Sequence, residues 1–109
     1  MKIKNYIDNI KSKYPNEKLF SVTKSETINE NIEDAKIVDG YWIIGSIPYR
    51  PVIGMCMTIL RKANSANPEG RDGIFRTSVV TAIKEVPHVH KPCETIVTTA
   101  NSEYLIEEI

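Results

Sequence analysis

The sequence predicts an α+β domain, in which one N-terminal amphipathic helix, or two, precedes a five- or six-stranded antiparallel sheet curled into an SH3-like small barrel. Three observations predict this fold. The first 15 residues carry one apolar stripe of helical period. Runs of β-branched and aromatic residues separated by turn formers follow from residue 36 onwards. The 109 residues support one domain with one modest core.

This single domain, residues 1–109, divides into a helix over 1–15, a connecting segment over 16–35 and the sheet over 36–109. In the helix, apolar residues recur at i, i+3, i+4, i+7 and i+11, and Pro15 with Asn16 ends the pattern. The stripe consists of Ile3, Tyr6, Ile7, Ile10 and Tyr14. We expect it to cover the sheet; the alternative is that it docks on another chain.

The connecting segment contains a possible second helix. Thr23 and Glu26 have the spacing of a capping box, and a thin apolar stripe (Ile28, Ile32, Ala35) follows. The region is also acidic, through Glu26, Glu30, Glu33, Asp34 and Asp39. Such a segment is either a solvated surface or a binding surface for a basic partner.

The first half of the sheet is predicted from turn chemistry. Asp39-Gly40 separates the apolar runs 36–38 and 41–44, which predicts a hairpin. The prolines of Gly45–Pro51 exclude a central strand there and predict a rigid loop that presents Tyr49 and Arg50. Residues 55–60 are apolar on both faces, as in a strand buried in the middle of a sheet.

The C-terminal third is the clearest β region. After an irregular stretch over 63–73, residues 74–86 form a long strand that needs a bend or bulge midway. A hairpin follows, with Asn101-Ser102 as its turn, Val97 facing Ile106 and Thr99 facing Tyr104. The predicted core comprises Ile7, Ile10, Val38, Trp42, Ile44, Met57, Ile59, Val80, Ile83, Val97, Tyr104 and Ile106.

The amino-acid composition limits the classes of partner that we expect. Fourteen basic residues balance 14 acidic ones, which argues against a nucleic-acid partner and against an anionic membrane surface, and permits a homo-oligomer. No run has the roughly 18 apolar residues that a membrane span needs. The N-terminus lacks the apolar core of a signal peptide, so we expect a cytoplasmic protein with free thiols at Cys56 and Cys93.

Two groups of residues are candidate sites. His88, His90 and Cys93 have the side chains of a zinc site, with Cys56 as a possible fourth ligand; the alternative is an ordinary exposed loop, and no cofactor is expected otherwise. Tyr49, Arg50, Arg71 and Arg76 would form a pocket for an anionic small molecule if their loops meet at one end of the barrel. The alternative is a set of separate surface arginines.

The sequence shows none of the common catalytic motifs, so it favours a protein without catalytic residues. A thiolate dyad of Cys93 with His88 or His90 is the enzyme alternative.

The pattern Arg76-Thr77-Ser78-x-Val80, followed by Thr98-Thr99-x-Asn101-Ser102-x-Tyr104-x-Ile106, resembles small uncharacterised β-barrel proteins of phages and mobile elements. The resemblance covers the C-terminal third and implies an accessory protein that opposes host defence, by binding a host protein or by sequestering a signalling nucleotide. We therefore expect a non-catalytic protein that binds a protein partner stoichiometrically. The alternatives are an oligomeric sponge for an anionic small molecule or nucleotide, and a small metal-binding protein or enzyme that uses the His88/His90/Cys93 loop.

Overall fold

The computed structural model describes residues 3–27, 39–89 and 94–109. These residues form one helix, α1 (Lys4–Lys13), and six strands: β1 (Phe20–Thr27), β2 (Trp42–Ser46), β3 (Cys56–Asn64), β4 (Gly73–Val86), β5 (Glu94–Thr99) and β6 (Ser102–Glu108). Each strand pairs antiparallel with the next, and β6 returns to pair with β1, so the strands close into a ring. The described residues form a β-rich domain with one short helix, and among them no helix has the length and apolar character of a membrane span.

The helix lies on the outside of the ring, as its stripe predicts. Ile10 is fully buried and packs with Leu19, Trp42, Ile44 and Ala63, while the rest of the stripe packs around this cluster. The Tyr6 ring stacks on Trp42 with 6.1 Å between centroids. Because side chains alternate along a strand, Trp42 and Ile44 meet the helix while Ile43 points into the ring. The apolar stripe of α1 therefore covers the outer side of β2.

The interior of the ring is a second apolar cluster, separate from the helix contact. It contains Val22, Ile43, Met57, Ile59, Val80, Val97, Tyr104 and Ile106. Most of the predicted core residues are buried in one cluster or the other, whereas Ile7 and Ile83 are only half-buried. Val38 lies outside the described residues. Leu19, Val22, Ile43 and Ala63 are buried residues that the prediction lacked.

The sheet begins at Phe20, inside the segment predicted to be a connection. Thr23 and Glu26 belong to β1, where Thr23 pairs with Trp42 on one side and with Leu105 on the other, so the predicted capping box is wrong. The side chains of this segment alternate between the two sides of the sheet, as in a strand. Val22 enters the interior, and its neighbours Ser21 and Thr23 point to the opposite side. The remainder of the predicted second helix lies outside the described residues.

Asp39-Gly40 is a turn, and the strand that follows it pairs with β1 and β3 on its two edges. Gly40 has a φ of 89°, as the sequence suggested for this position. Its N–H donates to the Lys24 carbonyl at 2.7 Å, and the Lys24 N–H donates to the Tyr41 carbonyl at 2.9 Å. β2 pairs with β1 on one edge and with β3 on the other, and the predicted partner, 36–38, lies outside the described residues.

The C-terminal hairpin forms with a register two residues from the predicted one. Val97 faces Tyr104 and Thr98 faces Glu103, so the turn is centred on Ala100 and Asn101. A shift of two residues leaves every side chain on its predicted side, because strand side chains alternate with a period of two. The Thr99 hydroxyl sets the tight turn: it accepts from the N–H of Asn101 at 3.3 Å and from that of Ser102 at 3.1 Å.

The predicted irregularity of β4 is confirmed, and it shapes one end of the ring. The register of β4 shifts near its middle against both neighbours. Against β3 the shift lies between Arg76 and Val79, the partners of Thr58 and Cys56, and against β5 it lies between Val80 and Ala82. Pairing with β3 reaches only Val79, whereas pairing with β5 continues to Val86. Within the described residues, the last part of β4 therefore has no strand on its β3 side.

Candidate functional site

The β2–β3 loop and the strand β4, to which this loop is hydrogen-bonded, carry large apolar side chains that face solvent. Their exposed fractions are 52% for Val52, 62% for Ile53, 63% for Met55, 62% for Ile74 and 43% for Val79. The first three belong to the loop between β2 and β3, and the other two to β4. We call these five residues the apolar face.

Backbone hydrogen bonds fasten this loop to β4. The Gly54 N–H donates to the Val80 carbonyl at 2.8 Å, and the Val80 N–H donates to the Met55 carbonyl at 2.9 Å. The Met55 N–H also donates to the Val52 carbonyl at 3.1 Å, which closes a turn with Gly54 at a φ of 96°. The loop therefore presents its apolar side chains from a defined backbone.

The outer sides of β3 and β4 continue the apolar face. Cys56 pairs with Val79, Thr58 with Arg76 and Leu60 with Ile74. The exposed side chain of Arg76 therefore stands between Ile74 and Val79 along β4.

The expectation of a strand buried on both sides at residues 55–60 is wrong for its outer side. Met57 and Ile59 enter the interior, but Met55 and Cys56 are exposed, because in the described residues α1 covers β2 and not this part of the ring. Cys56 is a free, exposed cysteine and not a small core hydrophobe.

The structure does not bring Tyr49, Arg50, Arg71 and Arg76 into one pocket. Tyr49, 78% exposed, and Arg50 lie in the loop before β3, and Arg71 lies in the loop after it. The nine residues of β3 separate these loops by about 30 Å at about 3.3 Å per residue. Successive loops of an antiparallel meander lie at opposite ends of the sheet, which is why the two loops cannot meet.

Arg71 instead lines a cavity of about 240 Å³ between the end of α1 and the β3–β4 loop. Most polar groups around it already have partners. The Lys13 ammonium donates to the Glu69 carbonyl at 2.9 Å, and Lys62 pairs with Glu17 at 3.6 Å while lying 4.6 Å from the centre of the Tyr14 ring. These contacts hold the helix against the loop, and they already engage most of the polar groups that line the cavity.

Of His88, His90 and Cys93, only His88 lies within the described residues, and its imidazole contacts the Glu94 carboxylate. His90 and Cys93 lie outside them, and the described residues contain no cluster of three metal-ligating side chains. Cys56 lies far from the His88 end of β4, because its partner Val79 is separated from Val86 by roughly 20 Å of strand.

The acidic segment is only partly described. Glu26 and Asp39 are exposed at its two ends, and Glu30, Glu33 and Asp34 lie outside the described residues. It remains a predicted binding surface.

The apolar face was missed because an apolar loop residue looks like a core residue in a single sequence. One signal was present: Val52 and Ile53 stand between Pro51 and Gly54, where a buried strand is disfavoured. No family model, curated protein or solved structure matches this chain.

Proposed function

We propose that the protein is a non-catalytic binding module that associates stoichiometrically with a protein partner through the apolar face. The observation that carries the proposal is the exposure of Val52, Ile53 and Met55 in the β2–β3 loop, together with Ile74 and Val79 of β4, the strand to which this loop is hydrogen-bonded. Contiguous exposed apolar residues are uncommon on monomeric proteins and mark interaction sites. Methionine and arginine are enriched at such interfaces, which fits Met55 together with Arg76.

The backbone of the loop supports this function. Its hydrogen bonds to Val80 hold the apolar side chains before any partner arrives, which lowers the ordering cost of association. A protein partner with an apolar patch bordered by a carboxylate would complement the surface, because Arg76 makes no ion pair within the described part of the chain. Desolvated charge pairs surrounded by apolar contacts are typical hot spots.

The experiment is a quantitative co-purification from native cells that compares the wild type with Ile53→Asp. The charge placed on the apolar face should reduce the retained partner at least about tenfold, because it would be desolvated without a counter-ion. Asn9→Asp adds the same charge on the exposed side of α1 and should retain the partner fully. Equal retention by Ile53→Asp and the wild type would contradict the proposal.

Other predictions stay open beside this proposal. The SH3-like class of the ring, the cytoplasmic location and the relation to phage accessory proteins are predictions on which the proposal does not depend. A homo-oligomer would also cover the apolar face, and light scattering on the purified protein distinguishes it from a monomer awaiting a partner. The zinc and enzyme alternatives depend on His90 and Cys93, and native mass spectrometry of the wild type and His90→Ala tests them.

A further inference from the structure

One end of the ring opens into a cavity of about 650 Å³, which we call the mouth cavity. It lies where β1 begins and where β2, β4 and β6 end, and its lining is Lys18, Phe20, Ile47, Pro48, Arg50, Pro51, Ile83, Glu85, Thr95, Ile106 and Glu108. The cause is the unequal length of the strands. The pairing of β3 with β4 ends at Val79, so the loop over 47–51 borders the end of β4 where a paired strand would otherwise lie.

The floor of the mouth cavity is apolar. Ile106 is buried, and Phe20, Ile47 and Ile83 are partly buried residues that pack on the interior cluster. Pro48 and Pro51 add apolar walls. Pockets for small molecules have about 300 to 1,000 Å³. The mouth cavity has such a volume, and it combines this apolar floor with a charged rim.

The rim carries two charges of each sign. Lys18 and Glu108 form an ion pair at 3.6 Å, so their opposite charges balance each other. The Lys18 ammonium also lies 5.7 Å from the centre of the Phe20 ring. Arg50 and Glu85 make no ion pair within the described residues. Arg50 is therefore the cationic group of the rim that remains for a ligand, and its planar fork suits a carboxylate.

We infer that the mouth cavity binds a small amphipathic carboxylate, with its apolar body on Phe20, Ile47 and Ile83 and its carboxylate on Arg50. Arg50 offers one cation, and Glu85 on the same rim is likewise without an ion pair within the described residues, so a ligand with one negative charge fits better than one with several. Nucleotides and other multiply charged phosphates fit poorly, because Glu85 and Glu108 repel additional negative charge and Thr95 is the one uncharged polar side chain of the lining. This site is distinct from the apolar face, and its test is independent of the proposed protein partner.

The probes are octanoate, a single carboxylate on an apolar chain, and 8-anilinonaphthalene-1-sulfonate, a fluorescent aromatic monoanion. Octanoate should bind one molecule per chain in a calorimetric titration and should displace the fluorescent probe, whereas ATP at the same concentration should not. Arg50→Gln should weaken octanoate binding about tenfold, since a bond to a charged group is lost. Glu85→Gln should strengthen it a few-fold, because a like charge leaves the rim.

Arg71→Gln is the matched control, because Arg71 is an exposed arginine at the opposite end of β3. Octanoate affinity should be unchanged in this variant. The amide resonances of Phe20, Ile47 and Ile83 should shift during an octanoate titration followed by NMR. The inference is overturned if octanoate does not bind, if Arg50→Gln and Arg71→Gln weaken it equally, or if the shifts are confined to Ile53, Met55 and Val79.

Discussion

Met55 and Val80 are joined by a backbone hydrogen bond in which the Val80 N–H donates to the Met55 carbonyl at 2.9 Å. With the bond from the Gly54 N–H to the Val80 carbonyl, it ties the β2–β3 loop to β4 beyond the last paired residue of β3. One side of this contact is the buried side chain of Val80, and the other is the exposed side chain of Met55. The loop that carries the apolar face is thus anchored directly on the interior cluster.

The first prediction concerns this anchor. Gly54→Ala should loosen it, because Gly54 has a φ of 96° and a left-handed conformation costs an L-residue about 1 to 2 kcal/mol. The exchange of the Val80 amide hydrogen should become faster, while that of Val22, on β1, which pairs with β2 and β6 and not with β4, should not change. Gly40→Ala is the control, since Gly40 also has a positive φ, lies in another turn and has open space around it. Unchanged Val80 exchange in Gly54→Ala would refute the anchoring role.

The second prediction concerns the helix. Ile10→Ala should lower the free energy of unfolding by about 2 to 5 kcal/mol, because the fully buried side chain would leave a cavity between α1 and β2. Trp42 is the one tryptophan of the chain, so its emission reports directly on this contact and should shift to the red. Asn9→Ala, on the exposed side of α1, should change neither quantity appreciably.

The third prediction concerns the β5–β6 turn. Thr99→Val keeps the branched shape but removes the acceptor for the N–H groups of Asn101 and Ser102, and we expect a loss of about 1 to 3 kcal/mol in the free energy of unfolding by urea. Thr98→Val is the control, because the Thr98 side chain points to the outer side and only its carbonyl accepts a bond from Thr81. Equal losses in the two variants would show that the hydroxyl of Thr99 does not set the turn.

The fourth prediction concerns the bulge between β2 and β3. A Cβ at Gly45 would collide with the Leu60 carbonyl oxygen, where the register of the two strands shifts. Because the obstacle is backbone, Gly45→Ala should cost about 1 to 3 kcal/mol of unfolding free energy. Ser46→Ala at the next position should cost less than about 0.5 kcal/mol. A fully stable Gly45→Ala would mean that the bulge does not require glycine.

Local patterns predicted the elements with strong periodicity, and long-range geometry decided the rest. The stripe of α1 and the alternation of β5 and β6 are local, so the helix and the buried sides of the hairpin could be predicted. The exact register of that hairpin depended on the Thr99 hydroxyl, which a pattern of apolar residues does not reveal. The part of β1 from Thr23 onwards was misread because Thr23 and Glu26 match a helix start, and the pairing of β1 with β6 is a long-range contact that no local pattern shows.

The candidate sites likewise combine features that the local sequence predicts with features that depend on long-range geometry. The loop exposing Tyr49 and Arg50 followed from its prolines, because proline restricts the backbone locally. Whether Arg50 meets Arg71 depends on the strand order, and the meander places them at opposite ends of β3. The part of the apolar face on β4 could not be predicted, because the sequence does not show which apolar strand residues the helix leaves uncovered.

The most direct test of the apolar face is site-specific photo-crosslinking in native cells, with a benzophenone side chain placed at Ile53, at Ile74 or, as a control, at Asn9. Our account predicts one crosslinked product of the same partner from Ile53 and from Ile74, and none from Asn9. Absence of a product from both positions on the apolar face, or the same product from Asn9, would contradict it. A crosslinked product that contains two copies of this chain would show self-association in place of a separate partner.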